Sequence, residues 1–251
     1  MNIVGKVFKT KNYGEFIVTK YDSCDGVHVK FINTGYETVS QVTNVKEGTI
    51  RDRLAPSVMG VGVIGEAQVF SPKKYLQDYM VWFRMLQRCY SENRQTKQPT
   101  YKGCTVSDNF KYFPYFKDWC VKQVGFGVAD DNLEQFALDK DILVRGNKVY
   151  SEDTCVFVPR EINMIIVTRK SRCGGLPVGV YFYKPTKKYK TQLSMNGKRK
   201  SLGYYKTPEE AFLVYKQAKE SYIKEVANKW KGQVDVRVYE ALMDWKVAIT
   251  D

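Results

Sequence analysis

The chain has 251 residues, of which 43% are hydrophobic and 14% aromatic, and it carries a formal charge of +13 from 40 Lys and Arg against 27 Asp and Glu. That apolar content can bury real cores, which excludes a wholly disordered chain, and no window reaches the roughly 18 consecutive apolar residues of a membrane span. The first residues show no basic patch ahead of a long apolar run, so a soluble protein of the cytoplasm with no membrane partner is expected.

Residues 1–72 read as a β-rich module of small-barrel type. Alternating runs at 3–8, 16–21, 27–31 and 37–42 are separated by turns such as Asn12-Tyr13-Gly14 and Cys24-Asp25-Gly26. The only histidine, His28, shares its strand face with Lys30, opposite Val27, Val29 and Phe31, and is expected at the surface. Ser71-Pro72 closes the module. From Lys73 the period turns helical: Tyr75, Tyr79, Trp82, Met85, Leu86 and Cys89 recur at three-to-four spacing. A second helix is expected over 113–124, then a hairpin over 138–157 turning at Arg145-Gly146-Asn147, then a short helix after Pro159. The six cysteines show no close pair of the kind that shares one zinc ion, and their apolar neighbours mark most of them as packed thiols.

The last part is the most regular. Three strands are expected at 179–184, 189–195 and 200–205. Asn196-Gly197 marks a tight hairpin between the second and third, because both residues tolerate positive φ. Thr207-Pro208-Glu209-Glu210 starts a helix as a capping box, with Ala211, Tyr215, Ala218, Tyr222 and Val226 as its apolar stripe. A final short helix is expected at 238–245. Charge is concentrated here: from 162 to 208 there is no acidic residue, against Arg169, Lys170, Arg172, Lys184, Lys187, Lys188, Lys190, Lys198, Arg199, Lys200 and Lys206. Such a single-sign segment attracts a polyanion through counterion release.

Gly179-Val180, the strand 189–193, Gly197-Lys198, Leu202-Gly203-Tyr204-Tyr205 and Thr207-Pro208-Glu209-Glu210-Ala211 resemble the Apetala2-type DNA-binding domain, a family also found in phage and mobile-element nucleases. The resemblance implies that the sheet enters the major groove of double-stranded DNA. Strand parity directs Val180, Phe182, Tyr189, Thr191 and Leu193 toward the helix. Tyr181, Tyr183, Lys190, Gln192 and Ser194 then face outward, joined by Lys188, Lys198, Arg199 and Lys200. Gln and Arg can read adenine and guanine edges while lysines hold phosphates. The exposed tyrosines also allow stacking on unpaired RNA bases.

Trp82, Met85-Leu86, Arg88-Cys89-Tyr90, Leu138-Asp139-Lys140-Asp141, Tyr150-Ser151, Cys155 and Asn163 resemble, in that order, the His-Asn-His group of phage homing endonucleases. That likeness implies a hairpin followed by a helix around one divalent ion, with Asp139 and Asn163 as metal ligands suited to Mg²⁺ or Mn²⁺. Lys140, with Asp141 beside it, stands where a histidine would act as general base, and Thr154 stands where the middle Asn is usual. A free lysine is protonated at neutral pH. Two readings therefore stay open: metal-dependent cleavage of duplex DNA, or a catalytically silent, sequence-specific DNA-binding regulator in which Asp139 and Asn163 only brace the hairpin–helix junction. The fold class expected is α+β in four parts: the β-rich module (1–72), a nuclease-like module (73–170), a DNA-binding sheet with its helix (174–232), and a C-terminal helix (233–251).

Overall fold

The structure is a computed structural model that describes residues 2–69, 76–130, 133–167 and 175–249. The expected boundary at Ser71-Pro72, the helix-opening Lys73 and Tyr75, and Arg169, Lys170, Arg172 and Cys173 lie outside the described residues. The chain is mixed α+β and forms two compact units, Met1–Val121 with Lys148–Glu152, and Lys122–Asn147 with Asp153–Asp251. Among the described residues no helix is long and apolar enough to cross a membrane.

The first unit opens with an antiparallel meander of β1 (Val7–Lys9), β2 (Glu15–Tyr21), β3 (Val27–Phe31) and β4 (Glu37–Ser40). Phe16 and Val18 on β2, and Val27, Val29 and Phe31 on β3, alternate onto one face and are buried with Ile3, Ile50 and Val45 of α1 (Val42–Glu47). The expected barrel does not close. Its would-be closing strands have three and four residues, too few to wrap the sheet, and α1 covers the core instead. His28 lies half-exposed on β3 and pairs with Asp22 at 2.9 Å, the surface position expected.

After the short hairpin β5 (Pro56–Val58) and β6 (Gly62–Val63) come α2 (Gln77–Tyr90), α3 (Glu92–Lys97), β7 (Thr105–Val106), α4 (Asp108–Lys111) and α5 (Phe113–Cys120). Trp82, Met85, Leu86 and Cys89 of α2 are buried, and Trp82 packs on Phe113 while its indole Nε1 donates to the Phe110 carbonyl at 2.7 Å. Gly62 sits directly against Trp82 and Leu86, where a Cβ would meet the Leu86 side chain at 2.4 Å. Helix α5 is shorter than expected, ending at Cys120 ahead of a run of turns. Cys89, Cys104, Cys120 and Cys155 are buried free thiols, and Cys24 is exposed.

The chain then builds β8 (Ala137–Asp139) in the second unit and returns to the first for β9 (Val149–Tyr150). The expected 138–157 hairpin is found at its ends, where Leu138 pairs antiparallel with Phe157, and is corrected between them. Val149 and Tyr150 pair in parallel with Thr105 and Val106 of β7, while β8 pairs antiparallel with β10 (Val156–Val158). The cause is local: the chain after Asp139 turns sharply and is tied back on itself at Asn147, so Val149 does not continue a ladder with β8.

In the second unit α6 (Arg160–Ile166) follows Pro159. Strands β11 (Val180–Tyr183), β12 (Lys188–Met195) and β13 (Lys198–Tyr205) then form an antiparallel sheet, and α7 (Pro208–Lys229) and α8 (Val236–Met243) complete the unit. Helix α7 starts with the anticipated capping box: Thr207 Oγ1 accepts from the Glu210 amide at 3.2 Å, and Glu210 Oε2 accepts from the Thr207 amide at 3.4 Å. Ala211, Tyr215, Tyr222 and Val226 are buried, together with Phe212, Ile223 and Ala227, where α7 covers the sheet. Asn196 and Gly197 take positive φ of 49° and 73° in the β12–β13 turn, and the Asn196 amide donates to the Tyr222 hydroxyl at 3.0 Å.

Gly179 enters β11 with φ +75°, and a Cβ there would stand 2.3 Å from the Tyr215 ring. Gly179→Ala therefore adds both left-handed strain and overpacking, and equilibrium urea unfolding of the full chain is expected to show a loss of about 2–3 kcal/mol in the transition of the second unit.

Candidate nucleic-acid interface

Alternation on β11 and β12 places Val180, Thr191 and Leu193 under α7, all buried. Thr191, the one polar residue among them, donates its hydroxyl to the Gly179 carbonyl at 2.8 Å. Phe182 shares this parity but lies beyond the cover of the helix: it is 47% exposed and packs edge-on against Tyr189.

The opposite face holds Tyr181, Tyr183, Lys188, Lys190, Gln192 and Ser194, as the strand parity requires. Strand β13 departs from simple alternation. Thr191 pairs with Gly203 but Gln192 pairs with Ser201, so Leu202 forms a bulge that inverts the parity of everything beyond it. Directly paired residues in an antiparallel ladder share a face. Tyr204, opposite Lys190, and Ser201, opposite Gln192, therefore join the outer face, as does Arg199 opposite Ser194. Lys198 and Lys200 pair with Met195 and Leu193, which puts them on the helix-side parity, exposed at the hairpin end and not on the outer face as expected. Sequence reasoning misses Tyr204 and Ser201 because it assigns no parity to this strand and takes the consecutive Lys198, Arg199 and Lys200 as outward together. The one hint was Gly203, whose φ of +125° accompanies the bulge.

Lys190 occupies the centre of the outer face. Its Nζ lies 5.9, 5.6 and 5.4 Å from the ring centroids of Tyr181, Tyr183 and Tyr204, within cation–π range. Tyr183 and Tyr204 contact each other at 5.4 Å. The Tyr181 hydroxyl, then that of Tyr204, act as hydrogen-bond partners of the ammonium and hold Lys190 charged to higher pH than usual. The Tyr181 hydroxyl donates in turn to Gln192 Oε1 at 3.2 Å. Strands β11, β12 and β13 contain no acidic residue.

The second cluster expected to be functional lies at the end of β8. Asp139 is buried, and its Oδ1 accepts from the amides of Asp141 at 2.9 Å and Ile142 at 2.8 Å, a side-chain-capped turn. Burial, and then the nearby charge of Asp141, raise its carboxyl above the ordinary carboxylate range, with the two amides pulling the other way. Lys140 is buried as well. Its Nζ donates to the Asn147 carbonyl at 2.7 Å and pairs with Asp141 at 3.1 Å, and Asn147 Nδ2 returns a bond to the Lys140 carbonyl at 2.7 Å. Asn163 stands half-buried on α6, which packs against β8.

Oxygen donors from Asp139 and Asn163 are of the type Mg²⁺ or Mn²⁺ accepts; Oδ1 of Asp139 is bonded to two amides, and the ion pair of Lys140 is with Asp141. Among the described residues no group of three or more His, Cys, Asp or Glu side chains is placed to hold a metal. The motif residues in the first unit likewise serve packing: the Arg88 guanidinium lies 5.5 Å above the Tyr101 ring and against the Tyr150 hydroxyl, whose ionisation burial suppresses.

A feature that composition did not reveal is an open groove of about 600 Å³ in the first unit, bordered by Tyr13, Tyr36, Arg51, Asp52 and Arg53. Asp52 is buried there and takes hydrogen bonds from Thr34 Oγ1 at 2.6 Å and the Leu54 amide at 2.9 Å, and Arg53 donates to the Ala67 carbonyl, so these two side chains serve the loop itself. No family model matches the chain, and neither curated proteins nor solved structures give a match.

The Asp139 turn makes its own prediction. Asn at 139 can still accept from both amides, while the cost of a buried charge disappears. Above the raised pKa the wild type holds a charged carboxylate that the folded state disfavours, so Asp139→Asn is expected to melt at the same or higher temperature at pH 7. The two proteins should converge as pH falls through the carboxylate range and Asp139 takes up its proton. Thermal unfolding from pH 3 to pH 8 measures this, and a wild type markedly more stable than the variant at pH 7 would show the charge itself to be structural.

Proposed function

We propose that this protein binds double-stranded DNA through the outer face of the β11–β13 sheet, and that it acts by occupying its site and not by cutting. The observation that carries the reading is that face: three strands free of acidic residues, backed by α7, presenting Lys188, Lys190, Arg199, Gln192 and tyrosines on one side. Two inter-strand spacings of about 4.8 Å give a ribbon about 10 Å across, which suits a major groove about 12 Å wide. Arg199 lies on the edge strand and Lys188 at the start of the central strand, where phosphates can be met, and Gln192 lies inside that strand, where base edges are reached.

Silence at the second cluster follows from Lys140. A general base must reach the water it deprotonates. The Lys140 amino group is held here by a carbonyl and a carboxylate. This reading supports a regulator related to homing endonucleases over a metal-dependent nuclease.

Two measurements test the proposal. Retention of labelled duplex across a salt series should fall steeply, and Lys188→Ala or Arg199→Ala should each lower the slope of log K against log salt by about 1. Affinity that barely responds to salt, or single-stranded RNA competing better than duplex, would count against the groove reading. Supercoiled plasmid carrying a bound site should stay intact with Mg²⁺ or Mn²⁺. Nicking by the wild type that Asp139→Ala abolishes would establish the nuclease instead.

A further inference from the structure

A glutamine in the major groove ordinarily reads adenine, giving a hydrogen bond to N6 through its carbonyl group's acceptance and one to N7 through its amide's donation. Gln192 is not in the ordinary state. Its Oε1 accepts the Tyr181 hydroxyl at 3.2 Å. That hydroxyl has its direction imposed by Lys190, whose ammonium lies over the Tyr181 ring and beside its oxygen. A hydroxyl next to a fixed cation turns its oxygen toward the charge and its hydrogen away. The hydrogen then points at Gln192, and only the acceptor end of the amide can meet it. The relay Lys190, Tyr181, Gln192 thus fixes which end of the amide stays outward.

Resting on the duplex-DNA reading above, we infer that Gln192 reads as a donor and prefers a keto base, guanine or thymine, over adenine, with Tyr181 and Lys190 as its positioning residues. The chemistry is a matter of inventory. Nε2 carries two hydrogens and no lone pair to accept with. Guanine offers acceptors at O6 and N7, and thymine offers one at O4. Adenine also offers N7, but it sets its N6 donor where guanine has a second acceptor, and the Gln192 oxygen is directed to the Tyr181 hydroxyl, so adenine loses the second bond that guanine keeps.

The test is selection from randomised duplexes by the full-length protein at fixed salt, comparing the wild type with Gln192→Leu, Tyr181→Phe and Lys190→Met. The position whose preference vanishes in Gln192→Leu locates the contact. The wild type should favour G or T there and disfavour A. Tyr181→Phe removes only the hydroxyl from a half-exposed ring, freeing the amide to turn and accept. It should shift that position toward A by about five- to tenfold, and Lys190→Met should move it in the same direction. A purely structural role for Tyr181 would lower affinity at every position without changing that preference. Adenine preferred by the wild type, or an unchanged profile in Tyr181→Phe with duplex still retained, overturns the inference while leaving duplex binding in place. Failure of the wild type to enrich any duplex overturns both.

Discussion

The seating of α7 on one side of the β11–β13 sheet determines what the other side must be. The helix packs on all three strands, with Ala211, Tyr215, Tyr222 and Val226 buried on the helix and Val180, Thr191 and Leu193 buried on the sheet, and each large side chain so removed from water contributes roughly 1.5–3 kcal/mol. Strand side chains alternate, so committing one parity to the helix forces the other into solvent. The approach is close enough that position 179 admits only hydrogen, and that the one inward hydroxyl, on Thr191, is bonded to the carbonyl of that same glycine. A hydroxyl left unmatched there would cost more than the bond itself supplies. The outward face is thus a by-product of the core, and its composition is unconstrained by packing. That basic and aromatic residues fill it, with no carboxylate, is what gives the face a functional meaning.

Local signals were legible and distant pairings were not. Thr207 to Glu210 announced the start of α7 because a capping box satisfies backbone donors within four residues of chain. Asn196-Gly197 announced its hairpin because positive φ is a property of the residue types themselves. Nothing comparable announces that Val149 and Tyr150 leave β8 for Thr105 and Val106, since that choice depends on segments more than forty residues apart. The bulge at Leu202 is an intermediate case. Strict alternation counted back from Tyr204 would put Leu202, Lys200 and Lys198 on the outer face; the one extra residue puts Ser201 and Arg199 there instead, and alternation read straight through it cannot show the exchange.

The Asp139 cluster shows how one set of residue types supports two readings until its hydrogen bonds are known. An Asp at the end of a strand, a Lys after it and an Asn on the following helix match the positions of a metal-centred site. Here the Asp accepts from the second and third amides that follow it, and the Lys spans the loop to Asn147. Each of these bonds closes the turn that redirects the chain after β8. Asp139 and Lys140 are thus accounted for by the fold, so their presence in the right order is no independent sign of chemistry.

Charge on the C-terminal sheet divides by its surroundings in the same way. Lys188 and Arg199 are exposed, and their strands carry no residue of opposite charge. Lys190 is half-buried among three tyrosine rings, which return part of the solvation the ammonium loses. A lysine so held is poorly placed to follow a phosphate, because reaching out would forfeit those contacts. Its charge acts instead on the neighbouring hydroxyl, and through it on Gln192. On the duplex-DNA proposal, affinity for the polyanion would rest with the exposed Lys188 and Arg199, and discrimination among bases with the centre, where contacts orient the side chains before any partner arrives.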